Sequence, residues 1–201
     1  AVFPSFAFAW RMNEENMLKQ IDWLSDLKLR LSWGMTGQQE GIGDYNYFAV
    51  YEMNTGSESY YPVYGDGTLA RPKAFDPNLK WETTTSYNIG LDWGILKQRL
   101  SGTVDWYYRK TSDLLNSATV SAGSNFRNQV MSNIGSMFNT GVEASIHWLA
   151  VNTKLFNWTM DYNFTYNYNK ITNLNGGNDA NYFVPTGGIS AGTGGNIQAQ
   201  H

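Results

Sequence analysis

Residues 81–115 read WETTTSYNIGLDWGILKQRLSGTVDWYYRKTSDLL. Taken every second residue, Trp81, Thr83, Thr85, Tyr87, Ile89, Leu91 and Trp93 share one face. Glu82, Thr84, Ser86, Asn88, Gly90, Asp92 and Gly94 share the other. After a short break at Lys97-Gln98 the alternation resumes. Leu100, Val104, Trp106 and Tyr108 oppose Ser101, Thr103, Asp105, Tyr107 and Arg109. A period of two belongs to strands, whose side chains point alternately to the two faces. The stretch is therefore a hairpin with one aromatic and aliphatic face and one polar face. The solvent that wets the apolar face decides what the chain does.

Three further stretches repeat the pattern. In 27–35, Leu27, Leu29, Leu31, Trp33 and Met35 oppose Lys28, Arg30, Ser32 and Gly34. In 142–148, Val142, Ala144, Ile146 and Trp148 oppose Glu143, Ser145 and His147. In 157–168, Trp158, Met160, Tyr162, Phe164, Tyr166 and Tyr168 oppose Asn157, Thr159, Asp161, Asn163, Thr165 and Asn167. A weaker strand, Phe6, Phe8 and Trp10 against Ser5, Ala7, Ala9 and Arg11, precedes them. Between it and Leu27, Asn13-Glu14-Glu15 reads as a helix start, with Asn as cap and acids in the first turn. Met17, Leu18, Ile21 and Leu24 would form the helix's apolar face.

The connections between strands alternate in length. Residues 37–79, 112–138 and 172–201 lose the period and are rich in Gly, Asn, Ser and Tyr, whereas Ile95–Gln98 and Val151–Phe156 are short. With antiparallel neighbours, all long loops then lie at one end and all short turns at the other. Transmembrane barrels have this asymmetry, with short periplasmic turns and long extracellular loops. From Trp81 to Trp93 is twelve steps of about 3.3 Å, roughly 40 Å. At a tilt of about 40° this is roughly 30 Å of height, close to a bilayer core. The fold class expected is all-β: an antiparallel transmembrane β-barrel segment, residues 1–201 forming part of one barrel domain.

Composition agrees. Of 201 residues, 15 % are aromatic and only 15 % charged, and the net charge of −3 offers no basic stripe for nucleic acid. With no cysteine, neither a disulfide framework nor a thiolate metal site can form. No apolar run reaches the ~20 residues of a membrane helix. The chain opens AVFPSFAFAWRM, without a methionine or a basic leader, which points to a fragment or a processed chain.

The residues that carry chemistry sort by face. Lys28, Arg30, Glu82, Asp92, Asp105, Arg109, Glu143, His147 and Asp161 fall on the polar face and are the candidates for lining a lumen. Carboxylates in such a wall could in principle serve hydrolysis. Their simpler role is pairing with Lys28, Arg30 and Arg109 across neighbouring strands. No GxSxG is present and the two histidines, His147 and His201, are far apart, so no catalytic or metal residue is assigned and no cofactor is expected. Asp66 in YGDGT leaves a loop calcium as an unsupported alternative. Trp81, Trp93, Trp106, Trp148, Trp158 and Tyr168 are candidates for the membrane girdle, since their rings favour the interface. Trp93 and Trp158 lie by short turns and mark the periplasmic side; Trp81 and Tyr168 mark the outer side. Tyr45, Tyr47, Phe48, Tyr60, Tyr61 and Tyr64, in the first long loop, could stack on a ligand or meet a lid protein, or pack the loop on itself. The rival readings are a soluble all-β carbohydrate-binding module and a secreted all-β hydrolase.

The ordered series LKLRLSWGMTG (27–37), FDPNLKWETTTSYNIGLDWGILKQRLSGTVDWYYRKTSDLL (75–115), NIGSMFNTGVEASIHW (133–148) and WTMDYNFTYNYNKITNL (158–174) resembles the SusC/RagA family. These are TonB-linked outer-membrane transporters of Bacteroidetes. PSFAFAWRMNEE (4–15) is similar to the same barrel region, so only the variable loops near 38–74 and 175–196 lie outside the resemblance. The resemblance implies a 22-stranded barrel, a class noted for plugged lumens, of which this chain supplies about six strands and no plug. It further implies TonB-dependent import of an oligosaccharide or peptide and capping by a SusD-like surface lipoprotein. Energy would come from the TonB complex through an N-terminal region absent from these residues. It also implies an outer-membrane location, in contact with lipid.

Overall fold

In the computed structural model the described residues are 2–43, 46–54, 61–62, 69–119, 129–173, 184–188 and 196–199. Six strands form one sheet: β1 (Ser5–Arg11), β2 (Leu24–Gln38), β6 (Glu82–Ile95), β7 (Leu100–Thr119), β8 (Gln129–Asn152) and β9 (Asn157–Asn173), in the order β1-β2-β6-β7-β8-β9. Between β2 and β6, β3 (Tyr51–Asn54), β4 (Tyr61–Pro62) and β5 (Leu69–Pro72) make a small antiparallel sheet ordered β3-β5-β4. After β9, β10 (Val184–Gly188) pairs with β11 (Asn196–Ala199).

The chain divides into two compact units. One comprises 1–37, 84–111 and 137–170; the other comprises 38–83, 112–136 and 171–201.

Within the first unit the register fixes the faces. β1 pairs with β2 so that Phe6 opposes Trp33, Phe8 opposes Leu31 and Trp10 opposes Leu29, while Ala7, Ala9 and Arg11 oppose Ser32, Arg30 and Lys28. A slip by one residue would turn every ring to the polar side, so the alternation in both strands specifies this pairing. Among the described residues no large side chain is fully buried. The rings on the apolar face remain open, with Phe6 64 % exposed and Tyr162 62 %. Among the described residues no second layer covers them, and the tryptophans there do not sit between two sheets as a soluble sandwich requires.

The turn after β6 is built without glycine. Leu96, Lys97 and Gln98 all adopt left-handed φ, at 53°, 57° and 66°. Each such residue costs about 1–2 kcal/mol. The conformation is held from outside the turn: Leu96 N donates to Trp23 O at 2.8 Å, Gln98 N to Ser25 Oγ at 3.2 Å, and Arg99 Nη2 to Ala150 O at 3.0 Å.

One expectation needs correction. The helix expected from Asn13 does not form. A 3-10 turn, Met12–Glu14, is followed by isolated turns. The expected cap makes no bond: Asn13 Oδ1 is enclosed without a partner. Met17, on the intended apolar face, is 88 % exposed. A short helix draws its stability from packing such a face, and nothing receives this one.

The stretches 112–138, 37–79 and 172–201 also hold more strand than their composition suggests. β7 runs on to Thr119, β8 begins at Gln129 and β9 ends at Asn173; β2 reaches Gln38, and the two small sheets occupy the rest in part. A ladder needs an apolar face only where that face must leave water, so polar Asn/Ser-rich segments extend strands without a hydrophobic period. Asp113, where the alternation read from the sequence fails, adopts a left-handed φ of 60° within β7.

Candidate functional site

The polar face of the first unit is a network of paired side chains. Arg30 on β2 donates through Nε and Nη2 to Asp92 on β6, at 3.0 and 2.7 Å. The same Nη2 reaches Asp105 on β7 at 2.8 Å, crossing the whole width of β6. Gly90 makes this crossing feasible: a Cβ there would overlap both the Arg30 guanidinium and the Asp105 carboxylate. Lys28 adds a longer ion pair to Asp92, 3.9 Å. Two cations and two carboxylates thus neutralise one another on a face that keeps access to water, as a polar face requires. This leaves Asp92 and Asp105 as acceptors in a forked salt bridge rather than as a free acid–base pair.

The remaining strands contribute matched hydroxyls and amides. Asn88 Nδ2 donates to Ser32 Oγ at 3.0 Å, Thr84 pairs with Thr111 at 2.9 Å, and Thr103 with Ser145 at 2.8 Å. Between β8 and β9, His147 Nδ1 lies 2.6 Å from Asp161 Oδ1. An open depression of about 440 Å³ runs past Asp92, Gln98, Thr103, Ser145, His147 and Asp161. Arg109 lies over the Tyr107 ring at 5.2 Å, and among the described residues it pairs with no acid. The Tyr107 hydroxyl end in turn fills the space that a side chain at Gly141 would need. Glu143 is exposed, and among the described residues it has no ion-pair partner. The polar-face set identified from the sequence therefore meets as one central cluster (Lys28, Arg30, Asp92, Asp105), one outlying pair (His147, Asp161) and two separate residues (Arg109, Glu143). Glu82 belongs to the second unit, where its Oε1 accepts the backbone N–H of Leu115 at 2.9 Å. Ser32, Asn88, Thr103 and Ser145 complete the face. Their alternation marked the side they occupy, but nothing in the sequence marked the pairing.

The opposite face carries an aromatic row. Tyr87, Tyr108, Phe138 and Tyr168 follow one another across β6, β7, β8 and β9 with centroid separations of 6.3, 5.7 and 5.9 Å. Rings at these spacings gain about 0.5–1.5 kcal/mol per pair beyond their burial. Three of the four were not singled out from the sequence as boundary residues; only Tyr168 was. Trp106, Trp148 and Trp158 are exposed on the apolar face at 40–50 %. The Trp93 ring lies against Gly102, whose missing side chain leaves room for it.

Of the loop aromatics, Tyr47 and Phe48 pack on each other at 4.3 Å. Tyr45, Tyr60 and Tyr64 lie outside the described residues, as does Asp66, and Tyr61 lies in β4, of which only the backbone is described. Among the described residues no group of three or more His, Asp or Glu is arranged to hold a metal.

A one-layer sheet with an uncovered aromatic face and a wet, internally paired polar face suits the wall of a barrel between lipid and lumen. Comparison with known proteins decides which barrel. Residues 1–195 match the family described as TonB dependent receptor-like, beta-barrel. The chain belongs to that family.

Within it, the chain is 49 % identical over 200 residues to the TonB-dependent receptor SusC of Bacteroides thetaiotaomicron, covering 98 % of this chain and 20 % of SusC. It is 37 % identical over 172 residues to the TonB-dependent receptor P39 of Formosa agariphila, covering 86 % of this chain and 16 % of that receptor. Among solved structures it resembles the RagAB peptide transporter, with a TM-score of 0.73 and 33 % identity over 92 % of this chain and 19 % of that one. The chain thus spans about a fifth of the length of such relatives, and it is a SusC/RagA-type segment of an outer-membrane β-barrel. Proteins of this family are transporters rather than enzymes, in keeping with a polar face whose acids are mostly engaged in pairing.

Proposed function

We propose that the chain forms part of the wall and surface segments of a transporter that imports a nutrient, of oligosaccharide or peptide class, across the outer membrane with energy from TonB. The observation that carries this reading is the two-faced single sheet. Its apolar side is closed by an aromatic row, and its polar side is satisfied by its own ion pairs and hydroxyl pairs. A wall of this kind, with its central charges paired, lets a polar solute pass without a concentrated charge that would retain it. The likeness to the RagAB peptide transporter supports the peptide alternative, and membership of the SusC/RagA type carries the expectation of a SusD-like surface lipoprotein as partner.

Strand length supports the placement. A barrel strand crosses a bilayer in about 9–11 residues. β8 has 24 residues and β7 has 20, so both continue well beyond the hydrocarbon. In this reading the excess carries the surface-exposed part, 112–136, where a ligand or lipoprotein arrives.

The test is uptake by cells carrying the full-length protein, using fluorescent oligosaccharides and fluorescent peptides in parallel. The reading expects one class to accumulate in the periplasm, and accumulation to cease when a protonophore removes the energy TonB transmits. Equal entry of both classes with and without the protonophore would describe an open pore and reject it.

A further inference from the structure

In the second unit the side chain of Asn133, on β8, is used as a piece of β-ladder. Its Nδ2 donates to Lys80 O at 2.8 Å and to Asp113 O at 2.7 Å, and its Oδ1 accepts the Lys80 N–H at 2.8 Å. One primary amide therefore satisfies both backbone groups of Lys80 and one of the left-handed residue Asp113. Three neighbouring contacts serve the same junction. Lys80 Nζ pairs with Asp113 Oδ1 at 2.9 Å, Glu82 Oε1 accepts the Leu115 N–H, and the Ser132 hydroxyl bonds the Asp76 carboxylate. Asp76 also shapes the approach: its Oδ1 accepts the N–H of Asn78 and its carbonyl accepts the N–H of Leu79.

The location gives this arrangement its meaning. Asp113 is left-handed inside β7, a conformation that L residues hold only when their surroundings support it. Here its carbonyl and the N–H of Leu115 are taken up by the side chains of Asn133 and Glu82, at the segment entering β6. Four residues before Asp76 is Pro72, the end of β5, and Lys73 N donates to Val50 O, next to β3. The small sheet β3-β5-β4 is thus joined through a short lead to the residues that Asn133 and Ser132 grip.

We propose that Asn133 is a positioning residue: its amide clips the Asp76–Lys80 lead to the β7–β8 segment 112–136 and so fixes the orientation in which the small sheet meets a surface partner. The proposal rests on the transporter reading for the partner, a SusD-like lipoprotein, and on the geometry alone for the clip. The strand ladders that build the barrel do not depend on this amide. Its loss is expected to free the lead while the barrel still assembles.

The experiment uses the full-length protein in the outer membrane, as wild type, Asn133→Ala and Ser132→Ala. Folded barrel is measured by heat-modifiability on gels. Whole cells are treated with proteinase K to time cleavage within 38–79, and the solubilised receptor is titrated with the SusD-like lipoprotein. For Asn133→Ala, folded yield stays within about twofold of wild type, while cleavage accelerates and half-saturation rises, each by about tenfold, as expected for three hydrogen bonds lost together. Ser132→Ala shifts both in the same direction by about threefold, one bond being lost. Folded Asn133→Ala protein that matches wild type in both cleavage and capture overturns the proposal. If Asn133→Ala fails to fold, Ser132→Ala decides, and wild-type behaviour in both readouts overturns it. If wild type itself neither imports nor captures a lipoprotein, the transporter reading fails, and the cleavage rates still judge the clip.

Discussion

Arg30 and Asp105 are joined at 2.8 Å although a whole strand separates those that carry them. The guanidinium passes over β6 at Gly90, where a side chain would stand in its way. The bridge ties β2, β6 and β7 into one block through side chains as well as through the ladder. Its members keep about a quarter to a third or more of their side-chain surface in water, so its energy is limited by screening.

The first prediction follows from that passage. Gly90→Val should displace Arg30 and destabilise the folded barrel by about 1–3 kcal/mol, the usual cost of overpacking. Asp105→Asn, which loses charge but keeps an acceptor, should cost no more than about 1 kcal/mol. Urea unfolding of the reconstituted full-length protein measures both. Equal effects would mean that Gly90 is not holding the passage open.

A second prediction separates the faces. Ile89→Arg places a charge among the lipid-facing side chains and should cost about 2–4 kcal/mol near mid-membrane. Asn88→Arg, one residue away on the wet face, should be far milder. Assembly yield in the outer membrane reports the contrast, and similar losses from both changes would argue for a covered core.

The aromatic row gives a third. Tyr108 stacks toward Phe138 at 5.7 Å and lies 6.3 Å from Tyr87. A double-mutant cycle of Tyr108→Leu and Phe138→Leu should return a coupling of about 0.5–1.5 kcal/mol. A coupling indistinguishable from zero would reduce the row to coincidence of position.

His147 and Asp161 supply a fourth. The pair is close but largely open to water, with 48 % and 66 % of the side chains exposed. Its removal by His147→Ala should cost less than about 1 kcal/mol. Uptake should stay near wild type, since the pair serves the wall and not a reaction. Abolished uptake at unchanged protein level would instead place the pair in direct contact with the solute.

Much of this architecture is legible in the residues themselves. The two-residue periods in 5–11 and 27–35 indicate which side chains share a face, and the 5–11 against 28–34 register bears them out residue by residue. The Arg30–Asp92 pairing was accessible as well, because a cation on a polar strand face needs an opposite charge nearby. The bridge from Arg30 to Asp105 was not, since it depends on Gly90 being seen as a passage between two side chains rather than as a strand weakness. The extension of β7 and β8 was hidden for a different reason. Beyond Asp113 the apolar residues Leu114, Leu115, Val130, Met131 and Ile134 fall on both faces, so no period of two distinguishes strand from loop. Asn133, in a run of Ser, Asn and Gly, carries no signal of its role, because its partners are backbone groups more than fifty positions away in the case of Lys80 and twenty in that of Asp113. The helix expected after Asn13 failed because local capping and periodicity do not supply a surface to pack against.

The central claim is that one face of β6 meets lipid and the other does not. It is tested most directly by spin labels placed singly at positions 87, 88, 89, 91 and 92 of the reconstituted full-length protein, with collision rates measured for oxygen, which concentrates in lipid, and for a nickel chelate, which stays in water. The account predicts that oxygen collisions rise and fall with a period of two, high at 87, 89 and 91 and low at 88 and 92. Oxygen accessibility at 87, 89 and 91 no greater than at 88 and 92 would contradict it.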